Sequence, residues 1–441
     1  MAIPFWQIMG HGPGHGTRAA GAAATPGRRP VFTVVGQREN ADREQGLLVE
    51  FTDFGGAEAC RGEWEALLER ALEPNIFMEP AFVLSAAQHL AESERPLFAM
   101  VREQREDGAG RLVGIWPLAS RGVLAGGFVR GWRSPYAVLG SPLIDRFRAG
   151  AVADAVLQAV AAKFGPRAML VAPQVRRTGP TYGLLVSRAM ATNRVWEALS
   201  PQSRAVLRAG AEADAVFRDA GSLRNLGKLA RKRRRLEALG VLEYRSAQTP
   251  DEVRAAAERF LLLEESGWKG RSSTALLSHA RTATFARTML RTFARSGQCR
   301  IDSLELDGRP LAMAILLQGQ RRAYCWKIAF DEAYALYSPG VQMMIELTRR
   351  QLADPDVLVT DSCAVAGDPM IERLWTDRQD IVDIAVAAMP GAPAAALAAL
   401  GRERLRRQAR EWAKRTVLAI RSPVRAVRTL RAGGTASISE S

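Results

Sequence analysis

Apolar residues along the chain follow two rhythms, one of helical period and one of alternating or continuous strand type. Helical spacing predicts a helix over Ala57 to Glu73, with Trp64, Leu67, Leu68 and Ala71 on one side, and another over Ala81 to Ala91. Strand-like runs follow at Pro96 to Arg102 and Arg111 to Leu118, joined as a hairpin through the turn-rich stretch Glu106 to Gly110. A helix over Ala149 to Phe164, a strand over Ala168 to Ala172 and a weaker segment near Tyr182 to Val186 complete a first unit of mixed topology.

The second half is more regular. It reads as strand Val241 to Ser246, helix Pro250 to Glu265, helix Ser278 to Ser296, then three strands: Cys299 to Leu306, Pro310 to Leu317 and Arg321 to Ala329. Asp307-Gly308 and Gly319-Gln320 are the short turns of an antiparallel meander. A helix over Val341 to Leu352, a strand over Val357 to Thr360, a helix from Pro369 to Trp375 and a strand over Asp380 to Ala387 follow. The fold class expected is therefore α+β, with mixed, mostly antiparallel sheets flanked by helices. A chain of 441 residues is long for one core. It divides into an extension over 1–30 expected to be disordered, units over 31–201 and 202–390, and a basic amphipathic tail over 391–441.

Composition adds the charge. The formal net charge is +15, and it is concentrated: 224–235 holds seven basic and no acidic residues, and 391–441 holds eleven basic and three acidic. Both stretches also carry apolar residues at helical spacing, so each presents a cationic face to an anionic membrane surface or a nucleic acid such as tRNA. The longest apolar stretch, Ile381 to Leu400, contains Asp383, Pro390 and Pro393 and will not span a bilayer. The N-terminus lacks the charged start and apolar core of an export signal, so the expected location is cytoplasmic, with peripheral attachment at the inner membrane face. Four cysteines without a C-x-x-C pair exclude a disulfide scaffold and argue against a cysteine zinc site. His11 and His15 flank a Gly-rich stretch without a carboxylate nearby, and no metal is expected. The sequence contains no G-x-S-x-G elbow, phosphate-binding G-x-x-x-x-G-K-[ST] loop or H-E-x-x-H helix.

Four stretches carry a family resemblance: Glu264-Glu-Ser-Gly-Trp-Lys-Gly270, Leu306-Asp-Gly-Arg-Pro310, Ala329-Phe-Asp-Glu-Ala-Tyr-Ala-Leu-Tyr-Ser-Pro-Gly340 and Trp375-Thr-Asp-Arg378. With the element order, they resemble the GNAT superfamily of acyl-CoA-dependent acyltransferases. The branch they resemble has tandem GNAT-like domains and joins CelD-type proteins of exopolysaccharide or cellulose biosynthesis to Fem-type aminoacyl transferases of cell-wall bridges. The resemblance implies transfer of an acyl group, in the simplest case acetyl from acetyl-CoA, to an amine or sugar hydroxyl. The first unit would be degenerate and the second would hold the carrier. Two alternatives stand beside this reading: a Fem-type transferase using charged tRNA, and an inactive scaffold of a polysaccharide synthase system.

The chemistry such a reaction needs narrows the residues. A pyrophosphate-bearing carrier needs unpaired backbone N–H groups at a helix N-terminus. Ser338-Pro339-Gly340 before the helix at Val341 supplies a hydroxyl for the cap, a proline without an N–H and a glycine for close approach, and Val341 and Gln342 complete that turn. Proton transfer requires an acid–base group, for which Glu264, Asp331, Tyr337 and Asp361 are candidates, Tyr337 as donor to the leaving thiolate. Glu265 is a further carboxylate beside Glu264. Trp268, Lys269, Tyr324 and Trp326 would line the acceptor cleft, and backbone N–H groups on Arg321 to Ala329 would polarise the thioester carbonyl.

Overall fold

The structure is a computed structural model that describes residues 33–34, 46–90, 95–104, 110–119, 127–210, 212–219, 223–391, 394–410 and 412–413. His11, His15 and the tail beyond 413 lie outside the described residues.

The first half opens with strands β1 (Thr33–Val34) and β2 (Leu47–Thr52), then helices α1 (Phe54–Ala59), α2 (Arg61–Leu68) and α3 (Pro80–His89). The single helix expected over Ala57 to Glu73 is two. Asp53 caps α1 by accepting from Gly56 N at 3.1 Å, the chain breaks at Cys60, and past Leu68 it turns so that Leu72 N donates to Ile144 O at 2.7 Å. Strands β3 (Pro96–Glu103) and β4 (Arg111–Ala119) form the expected hairpin, followed by β5 (Phe128–Arg130), β6 (Leu143–Ile144), α4 (Ala149–Phe164), β7 (Met169–Arg176), α5 (Pro180–Ala191) and β8 (Trp196–Arg208). The weak segment at Tyr182 to Val186 lies inside α5, which Pro180 starts at a first-turn position.

The second half runs α6 (Ala213–Asp219), α7 (Leu223–Glu237), β9 (Leu242–Ala247), α8 (Pro250–Ser266), α9 (Trp268–Arg271), α10 (Ala280–Arg295), β10 (Cys299–Leu306), β11 (Arg309–Gly319), β12 (Arg322–Phe330), α11 (Pro339–Ala353), β13 (Val359–Asp361) and β14 (Arg378–Ala387). A last helix, α12, covers 394–410. Helix α8 starts sharply because Thr249 and Glu252 form a capping box around Pro250. The β10–β11 turn has positive φ at Asp307 (49°) and Gly308 (79°), the hairpin geometry that this dipeptide favours. The next turn lies at Gln320-Arg321, both at positive φ, rather than at Gly319-Gln320. The helix expected over Pro369 to Trp375 is one 3₁₀ turn, Ile371–Arg373, whose start is held by Asp368 Oδ1 accepting from Met370 N and Ile371 N.

The strands form a five-stranded sheet, β1-β2-β3-β4-β6, and a nine-stranded sheet, β5-β7-β14-β8-β13-β12-β11-β10-β9. The centre of the larger sheet has a palindromic logic. The parallel pair β5–β7 of the first half matches the parallel pair β12–β13 of the second, and between them each half exchanges its last strand. Strand β14 lies between β7 and β8, and β8 lies between β14 and β13. The boundary expected at 201 therefore falls inside β8, and the two halves share one sheet. The tandem arrangement is built into the hydrogen bonding.

One apolar core crosses between the halves. Phe77 and Phe82 of the first half pack edge-on against Tyr324 at 5.1 Å and Phe285 at 5.5 Å respectively, burying α3 against α10 and β12. Helix α12 returns to the first half, where Ala396, Ala399 and Leu400 cover Phe128, Met169 and Val171.

Candidate active site

Strand β12 passes two irregularities within three residues. Its parallel pairing with β13 ends at Tyr324–Asp361, and its pairing with β11 slips between Cys325 and Lys327, leaving Trp326 as the extra residue of a bulge. Past Tyr324 no strand pairs with the β13 side of β12, so its backbone N–H groups there are not spent on β13. The sequence expectation of carbonyl-polarising N–H groups on Arg321 to Ala329 falls on this stretch.

Lys327 stands beside the bulge, and the sequence reading missed it. It is buried, with Nζ 3.8 Å from Glu264 Oε1, 5.4 Å from the centre of the Tyr136 ring and 5.9 Å from that of Trp326. Burial lowers its pKa to about 8, against the opposing pull of Glu264. The available signal was a lone charge in an otherwise apolar strand, Ala323-Tyr-Cys-Trp-Lys-Ile-Ala329.

Glu264 is the anionic centre of the cluster. Its Oε1 accepts from Lys269 Nζ at 2.9 Å and its Oε2 from Leu276 N at 2.9 Å. Burial works to raise its pKa, but Lys327, Lys269 and the Leu276 N–H together hold it below the ordinary carboxylate value. Lys269 also donates to Ile328 O at 3.1 Å, tying the α8–α9 corner to β12. Glu265 accepts instead from Ser278 Oγ at 2.8 Å. Trp326 Nε1 donates to Tyr136 O at 2.9 Å, so the first half forms one wall of the site.

The other expected residues separate into two places. Asp331 caps the 3₁₀ helix Glu332–Tyr337, accepts from Ala333 N at 2.9 Å and pairs with Arg309 at 2.6 Å on the exposed rim. Trp268 is half-buried, and its N–H donates to Glu332 Oε1 at 2.8 Å. Tyr324 is fully enclosed by the core, where burial raises its pKa, and Asp361 is buried at 3.0 Å from Arg204 Nε. Cys363 is a packed thiol that burial and Asp361 push well above the ordinary thiol range.

At the helix end expected to hold the carrier, the cap differs from expectation. Ser338 is left-handed, with φ 54° and ψ 52°, and its side chain caps nothing; its hydroxyl pairs at 2.8 Å with Lys232 Nζ of α7. Its carbonyl accepts from Val341 N and Gln342 N at 3.1 Å, and Gln342 Nε2 donates to Tyr337 O at 2.7 Å. Pro339 holds the first turn, and a Cβ on Gly340 would meet Phe330 at 3.4 Å. Arg235 lies 5.9 Å from the centre of the Tyr337 ring. The basic stretch 224–235 thus covers the helix terminus read from sequence as a phosphate site, and two separate sequence signals meet there. Among the described residues no group of three His, Cys, Asp or Glu could hold a metal ion.

Residues 223–361 match the family model described as "Acetyltransferase (GNAT) domain". The chain carries a GNAT-type acyltransferase domain. The match spans α7 to the end of β13, and so contains both the Lys327 cluster and the α11 N-terminus. The chain is similar in structure to FemX, with TM-score 0.47 and 10% identity over 73% of this chain and 95% of that one. A second similar structure is the C-terminal domain (DUF2156) of a putative lysylphosphatidylglycerol synthetase from Agrobacterium fabrum, at TM-score 0.44 and 12% identity over 78% and 95%. A GCN5-related N-acetyltransferase from Sphaerobacter thermophilus gives TM-score 0.30 and 11% identity over 78% and 97%. No protein of curated function matches the chain.

Proposed function

We propose that the protein transfers an acyl group from acetyl-CoA or another acyl-CoA to an amine, with a sugar hydroxyl as the weaker alternative, and that Lys327 is the base. The carrying observation is an amine with a pKa of about 8, buried where β13 leaves β12 and beside the anionic Glu264. A neutral Lys327 takes the proton from the acceptor nitrogen as that nitrogen attacks the thioester carbon. The carbonyl oxygen is polarised by backbone N–H groups at the Trp326 bulge, the C–S bond breaks, and Tyr337 protonates the departing thiolate. The carrier phosphates are placed at the α11 N-terminus under Lys232 and Arg235, with Ser338, Gly340, Val341 and Gln342 around them. An acceptor amine suits Lys327 better than a hydroxyl does, because a base of pKa about 8 is far from the pKa of an alcohol. Calorimetric titration of acetyl-CoA into wild type and Gly340→Trp tests the carrier assignment; binding retained by the folded variant would overturn it.

Charged tRNA as carrier is favoured by one observation: Arg231 and Arg234 of α7 are exposed, next to the Lys232 and Arg235 that reach the α11 terminus.

We also place the protein at an anionic membrane surface. Among the described residues no helix is long and apolar enough to cross a membrane. Helix α12 docks by one face, while Leu397 and Leu405, the latter 67% exposed, share the other with Arg402 and Arg404 at its borders; Trp412, 74% exposed, follows beyond the helix. An apolar stripe edged by arginines and ending in tryptophan fits the headgroup region of an acidic bilayer. Substrates of polysaccharide or envelope assembly would be met there.

A further inference from the structure

A second cluster lies on the same sheet at the seam of the two halves. Strand register puts Arg176 opposite Ile381 and Arg204 opposite Gln379, so both arginines stand on one face, across β14 from each other. The same face continues through Asp361 on β13 to Tyr324 and Arg322 on β12. Arg176 and Arg204 are buried, and Arg322 is half-buried. Two carboxylates accompany these three guanidinium groups. Glu73 pairs with Arg176 Nη2 at 2.8 Å and accepts from Ser141 Oγ at 3.3 Å and Thr181 N at 2.8 Å. Asp361 pairs with Arg204 Nε at 3.0 Å.

The positive charge in this band exceeds the negative by one. Arg176 Nη1 and Arg322 Nε, both inaccessible to solvent, have no hydrogen-bond partner among the described residues. Burial, and after it the charge of Arg176, hold the Arg322 guanidinium below the ordinary arginine range, so the two cations act on each other. Two neighbouring like charges, Arg176 buried and Arg322 half-buried and hydrogen-bonded to Tyr324, each keep one unspent donor, the arrangement that an anion between them relieves. The loop over Tyr136 to Ser141 connects this band to the active site, since Tyr136 O accepts from Trp326 Nε1, Val138 O from Arg204 and Ser141 Oγ faces Glu73. Arg322 to Lys327 along β12 spans roughly 15 Å at strand rise.

We propose that Arg176 and Arg322 bind an anionic group of the acceptor, a carboxylate or a phosphate, at the seam of the two halves. The inference rests on the acyltransferase reading for calling the ligand an acceptor, but not for the existence of the site. It selects an acceptor whose acid group lies on the order of 15 Å from the nucleophilic nitrogen near Lys327.

The test is calorimetric titration of succinate and of inorganic phosphate, separately and at constant ionic strength, into the full chain. Saturable binding of succinate assigns a carboxylate-bearing acceptor, and saturable binding of phosphate a phosphorylated one. In a Lys232→Gln/Arg235→Gln background, which removes the side-chain phosphate contacts at the α11 end, Arg322→Gln should weaken that binding tenfold or more. Binding of neither probe in that background, or equal binding with and without Arg322→Gln, overturns the proposal. If Arg322→Gln does not fold, Arg322→Lys serves in its place. The wild-type thermal midpoint, which a bound anion must raise with its concentration, gives an independent reading, and a midpoint indifferent to both probes also overturns the site. Titration of acetyl-CoA reports on the α11 end alone, so failure of the carrier reading is distinguishable from failure of the anion site.

Discussion

Glu264 Oε1 lies 3.8 Å from Lys327 Nζ and 2.9 Å from Lys269 Nζ, so one buried carboxylate serves two ammonium groups. Burial brings the pKa of Lys327 to about 8, near physiological pH. Its neutral form increases as pH rises through that value. Transfer to an amine should therefore show an ascending limb near pH 8, and Lys327→Met should lose that limb with a fall of roughly 10²-fold or more in kcat. Lys327→Arg keeps the charge and should be equally slow. A pH–rate profile that keeps its limb in either variant removes Lys327 as the base.

Removing the carboxylate moves the same limb. Glu264 raises the pKa of Lys327, so Glu264→Gln should shift the limb to lower pH. It also leaves the buried Lys327 and the half-buried Lys269 without their anion, at a stability cost of about 3–5 kcal/mol by urea denaturation. An unmoved limb would show that the two residues are not coupled.

A different carboxylate sets the pH dependence of folding. Glu79 starts α3, is buried, and accepts from Gln298 Nε2 of the second half at 2.9 Å. Burial raises its pKa to about 7, so the folded state binds its proton more tightly than the unfolded state. The stability it contributes is present in full below about pH 4.5 and is lost as pH rises to about 7. Glu79→Gln should flatten that slope, worth about 3 kcal/mol across the window. Parallel slopes in wild type and variant would exclude Glu79 as the source.

At the carrier end, Lys232→Gln with Arg235→Gln should raise the Kd for acetyl-CoA tenfold or more while the folded signal is unchanged. Replacing the exposed Arg231 and Arg234 should leave acetyl-CoA binding as it is. If that second pair abolishes transfer, the carrier is a larger polyanion such as tRNA, and binding should then weaken steeply with salt.

Helix α12 gives a test of location. Flotation with vesicles containing an anionic phospholipid should recover the wild type and lose Leu405→Asp/Trp412→Ser, with no recovery on neutral vesicles. Equal recovery of both proteins would exclude this face as the membrane contact.

The second half was legible in the sequence because its cues are local. The Asp307-Gly308 turn and the continuous apolar run of β11 each fix an element within a few residues, and both stand where expected. The meander and the Ser-Pro-Gly turn were enough to suggest the family and the helix end proposed for the carrier. Lys327 was hidden for the opposite reason. Its pKa depends on Glu264 and on the Tyr136 wall, which are 63 and 191 residues away along the chain. The hydroxyl of Ser338 was read as a cap because Ser before Pro-Gly usually is one, and only the packing of α7 shows Lys232 taking it.

The sequence by itself therefore determined most elements of the second half, the resemblance to an acyltransferase domain and the two basic stretches, since turns and apolar periods act over a few residues. Tertiary structure alone decided that β8 and β14 change places between the halves, that three arginines from three strands share one face, and that a lysine in an apolar strand lies beside a buried glutamate. Those facts come from strand register and burial, which set pKa values and charge balance through space and leave no spacing along the chain to read.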